Sequence, residues 1–490
     1  MHQISIKYCV LATLILSLSS SCELRKVSDQ NSQDISRRPN IVIILADDLT
    51  GSDIGAYGNT DVYTPNLDRL AKEGIRFKNA FTGTAMCSPS RQQLLTGLFP
   101  VRNGAFLNGS TVKDGTPSMA TLFKEAGYRV GLNGKTHFGP SESFPFQFLD
   151  VLDRRQKYAP RELNFTETRE FLNSDSSKPF LLIVASENPH WPWTGGDQSA
   201  FDPDKIHVPD YLVDTAETRL ALAKYYSEVT LLDIEAGRIL TILEETGHRE
   251  DTIVIFTSEH GAMFPHAKWT LYDPGVRTAL MIRWPGMVEE GSVSSAMVHY
   301  VDILPTLLNV IEKHHSEMDG RSFLHVLTDG QIHHRDFVYG IHTTKGIKNA
   351  VANYPIRSIR SERYKLILNL NPTSVFRNNV VAENRGGYYD SWKLKDSPNA
   401  QRKFNHYQVR PAVELYDMVA DPAEQHNLAG TEALHAMQHD LTQRLQQWMS
   451  SQKDSGLELE RLADRSLHKV RLIPDFKEPP TQVELNEKDD

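Results

Sequence analysis

Asn40-Ile41-Val42-Ile43-Ile44-Leu45-Ala46-Asp47-Asp48 is a continuous apolar run, rich in β-branched residues, that ends on two carboxylates. Such a run reads as a strand buried on both faces, in the middle of a sheet covered by helices. Phe180-Leu181-Leu182-Ile183-Val184-Ala185 and Asp251-Thr252-Ile253-Val254-Ile255-Phe256-Thr257 repeat the design, the second running into Ser258-Glu259-His260-Gly261. Between them Thr64-Pro65 opens a helix with Leu67, Leu70 and Ala71 on one side and Gly74 as its stop. Thr116 to Ala126 reads as a second helix and Tyr128 to Leu132 as a further strand. Helices alternate with apolar strands, and polar clusters sit at the strand ends. This predicts an α/β fold with a large, doubly wound, mainly parallel sheet. Its ligand crevice lies outside the C-terminal ends of the strands.

The pattern changes after Pro305. Ile356 to Arg360 and Tyr364 to Leu368 are short alternating runs that suggest a hairpin, and Val413 to Asp417 adds another strand. Glu432 to Ser450 reads as a helix with Leu434, Met437, Leu441, Leu445 and Trp448 on one face, a stripe suited to packing on a small antiparallel sheet. The expected organisation is a catalytic domain over 39–340, a C-terminal α+β subdomain over 341–455, and a charged tail over 456–490.

The chain has 490 residues, 40% hydrophobic and 23% charged, with a net charge of −9. That balance excludes general nucleic-acid binding. Any cationic field for an anionic ligand must be local. Cysteine occurs only at 9, 22 and 87, so the body of the chain supports no disulfide framework. Residues 1–21 read as a signal peptide: Lys7 gives positive charge, and Tyr8 to Leu18 is apolar but too short to span a bilayer. Ser19-Ser20-Ser21-Cys22 looks like a bacterial lipoprotein processing site, which predicts lipidation of Cys22, a polar linker over 22–38, and a cell-surface or periplasmic location. Plain signal cleavage and secretion is the alternative.

A lone cysteine is usually a small, inert core residue. Cys87 has different company: Pro89, Ser90 and Arg91 follow it, and Leu94-Leu95-Thr96-Gly97 closes a short helix. A guanidinium in the first turn of a helix suits an anion-processing site. The whole stretch resembles the signature of the type I sulfatases, Cys-x-Pro-Ser-Arg-x-x-Leu-Leu-Thr-Gly, at every fixed position. The resemblance implies an alkaline phosphatase-like fold. It also implies that Cys87 is oxidised by a maturation enzyme to formylglycine (3-oxoalanine), whose hydrated aldehyde is the nucleophile.

Asp47-Asp48 taken alone is also a turn or a helix cap. Two adjacent carboxylates repel unless a cation sits between them, and Glu259-His260 ends another strand. Oxygen and nitrogen donors from two strand ends can hold a hard divalent ion. By resemblance Asp47, Asp48, Glu259, His260 and the modified residue 87 would bind calcium, although the family usually has Asp where Glu259 stands. Gly134-Lys135-Thr136 is reminiscent of a P-loop, but that motif needs glycine at position 129, which is arginine. Gly127 to His137 instead resembles the second sulfatase signature, apart from Val130 where Thr or Ser is expected. It implies that Lys135 and His137 act on the nucleophile and the sulfate.

Asn188-Pro189-His190-Trp191-Pro192 follows a buried strand, and a histidine set between prolines is held rigidly. By resemblance His190 is the acid for the leaving group and Lys268 a sulfate clamp. The similarity runs over about residues 39 to 450 and is nearest to the heparan N-sulfatase branch. The partner it implies is a sulfated carbohydrate, either an algal polysaccharide such as ulvan or an N-sulfoglucosamine of heparan type. His342 and Arg357 are candidate substrate contacts from the C-terminal subdomain. The alternatives are a phosphatase or phosphodiesterase of the wider superfamily and a non-catalytic glycan-binding surface protein. The membrane is expected to matter only through the lipid anchor.

Overall fold

The computed structural model describes residues 38–150, 162–384 and 386–466. The expected leader, the lipidation site Cys22, the linker up to residue 37 and the tail beyond residue 466 lie outside these residues.

The first sheet is built on β1 (Asn40–Ala46), with β2 (Ile75–Phe81), β3 (Arg129–Gly134), β4 (Gln147–Leu149), β5 (Phe180–Ala185), β6 (Thr252–Ser258), β7 (Arg277–Thr278), β8 (Leu280–Arg283) and β9 (Ser292–His299). The spatial order is β4-β3-β5-β1-β6-β8-β2-β7, with β9 beside β2. β4, β3, β5, β1 and β6 run parallel, while β8 is antiparallel to both β6 and β2. Alternate residues of β1 enter opposite cores. Val42 and Ile44 pack into one apolar layer, and Ile41, Ile43 and Leu45 pack into the other. A strand covered on both faces therefore accounts for the unbroken apolar run.

Four helices matter below: α1 (Pro65–Lys72), α2 (Cys87–Thr96), α3 (Ala216–Glu245) and α4 (His435–Ser451). A second, antiparallel sheet follows in the order β10 (Val338–His342), β11 (Ile356–Arg360), β12 (Tyr364–Asn369), β13 (Val413–Asp417). The expected hairpin is β11–β12. Leu441, Leu445 and Trp448 of α4 pack on Ile341, Ile359, Leu366 and Leu415, the role their spacing predicts.

The expected tail begins differently from a loose charged segment. Leu457–Ser466 is helical, and the buried Glu460 accepts the amides of Thr344 and Lys345 at 2.7 and 3.1 Å. Two backbone N–H groups and the Thr344 hydroxyl find their acceptor there.

Candidate active site

The parallel strands deliver the chemistry at their C-terminal ends. Asp47 and Asp48 follow β1, Lys135 and His137 follow β3, Asn188 and His190 follow β5, and Glu259 and His260 follow β6. Asp48 and His137 take left-handed backbone with φ of 60° and 59°. Non-glycine residues adopt that region rarely, and mostly where surroundings impose it. Gly261 fixes the turn after His260, because a Cβ there would lie 1.8 Å from the Pro274 carbonyl oxygen.

α2 starts at the crevice, and all ten of its residues are buried. Cys87 occupies its first position. The thiol lies 3.4 Å from His260 Nε2 and 3.9 Å from Asp48 Oδ1. One ligand atom each from Asp48, Cys87, Glu259 and His260 fall within 4.8 Å of one another. Asp47 stands beside this group, ion-paired with Lys135 and 3.6 Å from an Arg91 guanidinium nitrogen.

The charges interlock. Arg91 Nε donates to Glu259 Oε2 at 2.5 Å. Lys268 Nζ donates to both oxygens of Asp48, at 2.6 and 2.7 Å. His190 Nε2 sits 3.7 Å from Asp48 Oδ2. His260 Nδ1 lies 3.0 Å from the Gly261 carbonyl, which directs Nε2 at Glu259 Oε1, 3.2 Å away.

Burial and these partners set the protonation states. Burial would push the Cys87 thiol up, but the ammonium groups of Lys268 and Lys135 bring it down to about 7. Burial also opposes the charged form of Asp47, yet Lys135, followed by the Glu259 hydrogen bond, His190 and Arg91, holds its carboxyl well below the usual range. Asp48 goes the other way, raised by burial against Lys268. Burial lifts Glu259 to about 7 despite Arg91. His260 is raised to about 10 by Glu259 and the cysteine, against burial. His137 is lowered to about 3 by burial and Lys135, so its ring is neutral at physiological pH. Its Nδ1 is buried without a partner.

Asp47 Oδ1 and Glu259 Oε1 are buried acceptors whose neighbours are charge contacts rather than well-aligned hydrogen bonds, Arg91 at 3.6 Å and His260 at 3.2 Å. Buried acceptors of that kind cost free energy unless something positive meets them. Hard oxygen donors with one imidazole are the donor set a divalent ion takes. The residues present fit such a metal.

The chain matches the family model described as Sulfatase over residues 39–312, and the model N-sulphoglucosamine sulphohydrolase, C-terminal, over residues 258–377. An ulvan-active sulfatase of Formosa agariphila is 32% identical, with 87% of this chain and 82% of that protein covered. This chain belongs to the sulfatase family.

The human N-sulphoglucosamine sulphohydrolase is 30% identical to this sulfatase, covering 84% of this chain and 90% of that one. A protein solved in complex with its substrate D-glucosamine-2-N,6-O-disulfate shares the fold with a TM-score of 0.65 at 22% identity, over 86% of this chain and 99% of that one. A phosphonate monoester hydrolase of Agrobacterium radiobacter does so with a TM-score of 0.65 at 20% identity, over 85% and 96%. The sulfatase is thus a hydrolase of sulfate esters or sulfamates.

The structure gathers Asp47, Asp48, Cys87, Arg91, Lys135, His190, Glu259, His260 and Lys268 of the sequence reading through direct contacts. His137 joins them through its electrostatic contact with Lys135. His342 and Arg357 have other partners. Both are fully buried; Arg357 is ion-paired to Asp454 and also donates to the His342 carbonyl at 3.1 Å. The His342 ring packs near Phe376, and its nitrogens have no partner. Their surroundings lend no support to the substrate role expected of them. Sequence reasoning missed Glu228 and Glu235 of α3, which accept hydrogen bonds from Thr194 and Gly195 and from Ser186 and Asn188 on either side of His190. They sit inside a long, largely buried helix, where Glu is an ordinary residue.

Proposed function

We propose that the sulfatase removes sulfate from a sulfated polysaccharide or its oligosaccharides, with residue 87 as the nucleophile after conversion of Cys87 to formylglycine. The observation that carries the reading is the thiol of Cys87 at a helix start, 3.4 Å from His260 and beside the ammonium groups of Lys268 and Lys135. Asp48, Glu259, His260 and Asp47 would hold a divalent ion, which we take to be calcium. When bound, that ion supplies positive charge that favours ionisation of a hydroxyl and neutralises sulfuryl oxygens.

The aldehyde of residue 87 adds water to give a geminal diol. Arg91 at the start of α2 favours the ionised form of one hydroxyl, and that oxygen attacks sulfur. Lys135 and Lys268 take the negative charge of the sulfuryl oxygens as the bond to the sugar breaks. His190 delivers its proton to the departing oxygen or nitrogen. Neutral His137 then accepts the proton of the second hydroxyl; the C=O bond reforms and sulfate leaves. A serine carries no second hydroxyl and could not complete that step.

The relatives' names, ulvan-active sulfatase and N-sulphoglucosamine sulphohydrolase, support a saccharide substrate of one of those two classes. Sulfate released from ulvan oligosaccharides and from N-sulfoglucosamine, compared side by side, decides between them. Release from neither, with turnover of a phosphate diester or phosphonate monoester, sinks the proposal in favour of the phosphonate hydrolase chemistry that the fold also carries. The apolar leader and Cys22 support export and lipid anchoring at the cell surface. Among the described residues no helix is long and apolar enough to cross a membrane.

A further inference from the structure

We propose that Glu235 and Glu228 of α3 are positioning residues for His190, fastening the two ends of the loop that carries it. The inference rests on the reading of His190 as the acid for the leaving group.

The loop leaves β5 at Ser186 and reaches α3 near Gly195. At its first end the Ser186 hydroxyl donates to Glu235 Oε2 at 2.5 Å and accepts the Asn188 amide at 2.9 Å. Glu235 Oε1 accepts the Asn188 side-chain amide at 3.3 Å and the Leu163 backbone amide at 2.8 Å. The Asn188 carbonyl then accepts the backbone amide of Asp47 at 3.1 Å, which ties this end to the metal-site turn. At the other end Glu228 Oε1 accepts the amides of Thr194 and Gly195 at 2.7 and 2.9 Å. Ser227 reinforces it by donating to the Gly195 carbonyl at 3.0 Å.

Glu228 and Glu235 are seven residues apart, two turns along one face of the helix. Between their two anchors lies Pro189-His190-Trp191-Pro192-Trp193. Trp193 Nε1 closes the span by donating to the Pro189 carbonyl at 3.0 Å. The His190 amide donates to the Glu187 carbonyl at 2.9 Å, and its ring Nδ1 lies 2.5 Å from the Trp191 carbonyl. These contacts leave Nε2 as the nitrogen directed at Asp48.

An apolar side chain would suit the core face of α3 at less cost than a buried acid. Glu235 is 2% exposed, and burial lifts its carboxyl to about 7. What the acids supply is acceptors for loop donors that have no ladder to join. A loop so held keeps His190 within reach of one point in the crevice. Misplacement of a catalytic group by about 1 Å can cost on the order of a hundredfold in rate.

The test compares kcat for phenyl sulfates of graded leaving-group acidity and for the sulfated saccharide, across wild type, His190→Ala, Glu235→Leu, Glu235→Gln, Glu228→Leu and Ser186→Ala, with thermal midpoints alongside. Acid catalysis helps poor leaving groups most. His190→Ala is expected to steepen the dependence on leaving group. Glu235→Leu, Glu228→Leu and Ser186→Ala are expected to steepen it in the same sense, slowing the saccharide and the poorest phenol by roughly tenfold to a hundredfold. The best phenol stays within about threefold, as expected of a step that needs little acid assistance. Glu235→Gln keeps an oxygen for the Leu163 and Asn188 donors and restores most of the rate. Ser186→Ala removes only a hydroxyl, so it reads the same effect if a leucine variant fails to fold. Equal slowing of every substrate, or no slowing, beside a selective His190→Ala overturns the positioning role while leaving the acid in place. An unselective His190→Ala overturns the reading of His190 itself.

Discussion

The Arg91 guanidinium donates from Nε to Glu259 Oε2 at 2.5 Å, with both side chains sealed from solvent. The contact joins α2, which carries the proposed nucleophile position Cys87, to the end of β6, which carries two of the proposed metal donors, Glu259 and His260. A buried ion pair is costly to break from one side, because the survivor keeps its charge without compensation. Glu259→Gln is expected to lower stability by about 3 kcal/mol and to abolish sulfate release. Glu259→Asp keeps the charge on a shorter arm, which cannot reach both Arg91 and the site at once. It should fold better than the glutamine variant yet lose roughly tenfold or more in kcat, since the geometry and not the charge is disturbed. Denaturant unfolding read beside sulfate release checks both. Full activity in Glu259→Gln contradicts the assignment.

Divalent cations should stabilise the fold measurably. Without one, the crowded carboxylates of Asp47, Asp48 and Glu259 are compensated by Lys135, Lys268, Arg91 and His260. Adding calcium to chelator-treated enzyme at a hundred times its dissociation constant is expected to contribute about 2.7 kcal/mol, seen as a higher thermal midpoint. An unchanged midpoint across that titration contradicts a bound ion at these residues.

Asp53 should make stability fall as pH rises. Its carboxyl is buried and accepts the Tyr225 hydroxyl at 3.0 Å; burial raises it to about 7. The folded chain therefore holds a proton that the unfolded chain has already lost above about 4, its ordinary value. The stabilisation is fully present below that value and is lost as pH rises through about 7. Asp53→Asn keeps an oxygen for Tyr225 and removes the titration. It is expected to gain at least about 1.4 kcal/mol at pH 8 relative to wild type and nothing at pH 4. Parallel pH–stability curves for the two proteins would refute this.

Arg357 is a structural cation on the present account. Its pairing with Asp454 fastens β11 to the turn after α4, and Glu460, in the first turn of the helix that follows, braces Thr344. Arg357→Leu or Asp454→Leu alone is expected to cost about 3 kcal/mol, and the double variant to recover most of it. The KM for the saccharide should stay unchanged in the double variant. A KM raised tenfold or more would restore the substrate contact that the sequence suggested.

Much of this molecule was legible before any coordinates. β1, β5 and β6 announce themselves because a strand covered on both faces must be apolar without interruption, and the carboxylates that stop the runs mark the crevice. The signature around Cys87 marked the helix and the sulfatase family, and local turn chemistry placed α1 and the β11–β12 hairpin. The antiparallel strands β7 and β8 escaped notice because runs as short as Arg277–Thr278 carry no period to read. α3 escaped for a different reason. Most of its residues are buried, so its polar and apolar faces blur, and its acids look like ordinary surface glutamates until the loops they hold are in place. The role of Arg357 could not be read locally, since its partner lies 97 positions away.

The central claim is that a converted residue 87 carries the sulfuryl group. Chain produced with graded amounts of maturation enzyme can be analysed by peptide mass spectrometry over Met86 to Arg91, giving the fraction in which the thiol has become an aldehyde, and each preparation assayed for sulfate release. The account predicts activity proportional to that fraction, falling to zero where every chain keeps its thiol. Undiminished sulfate release from fully unconverted protein would contradict it.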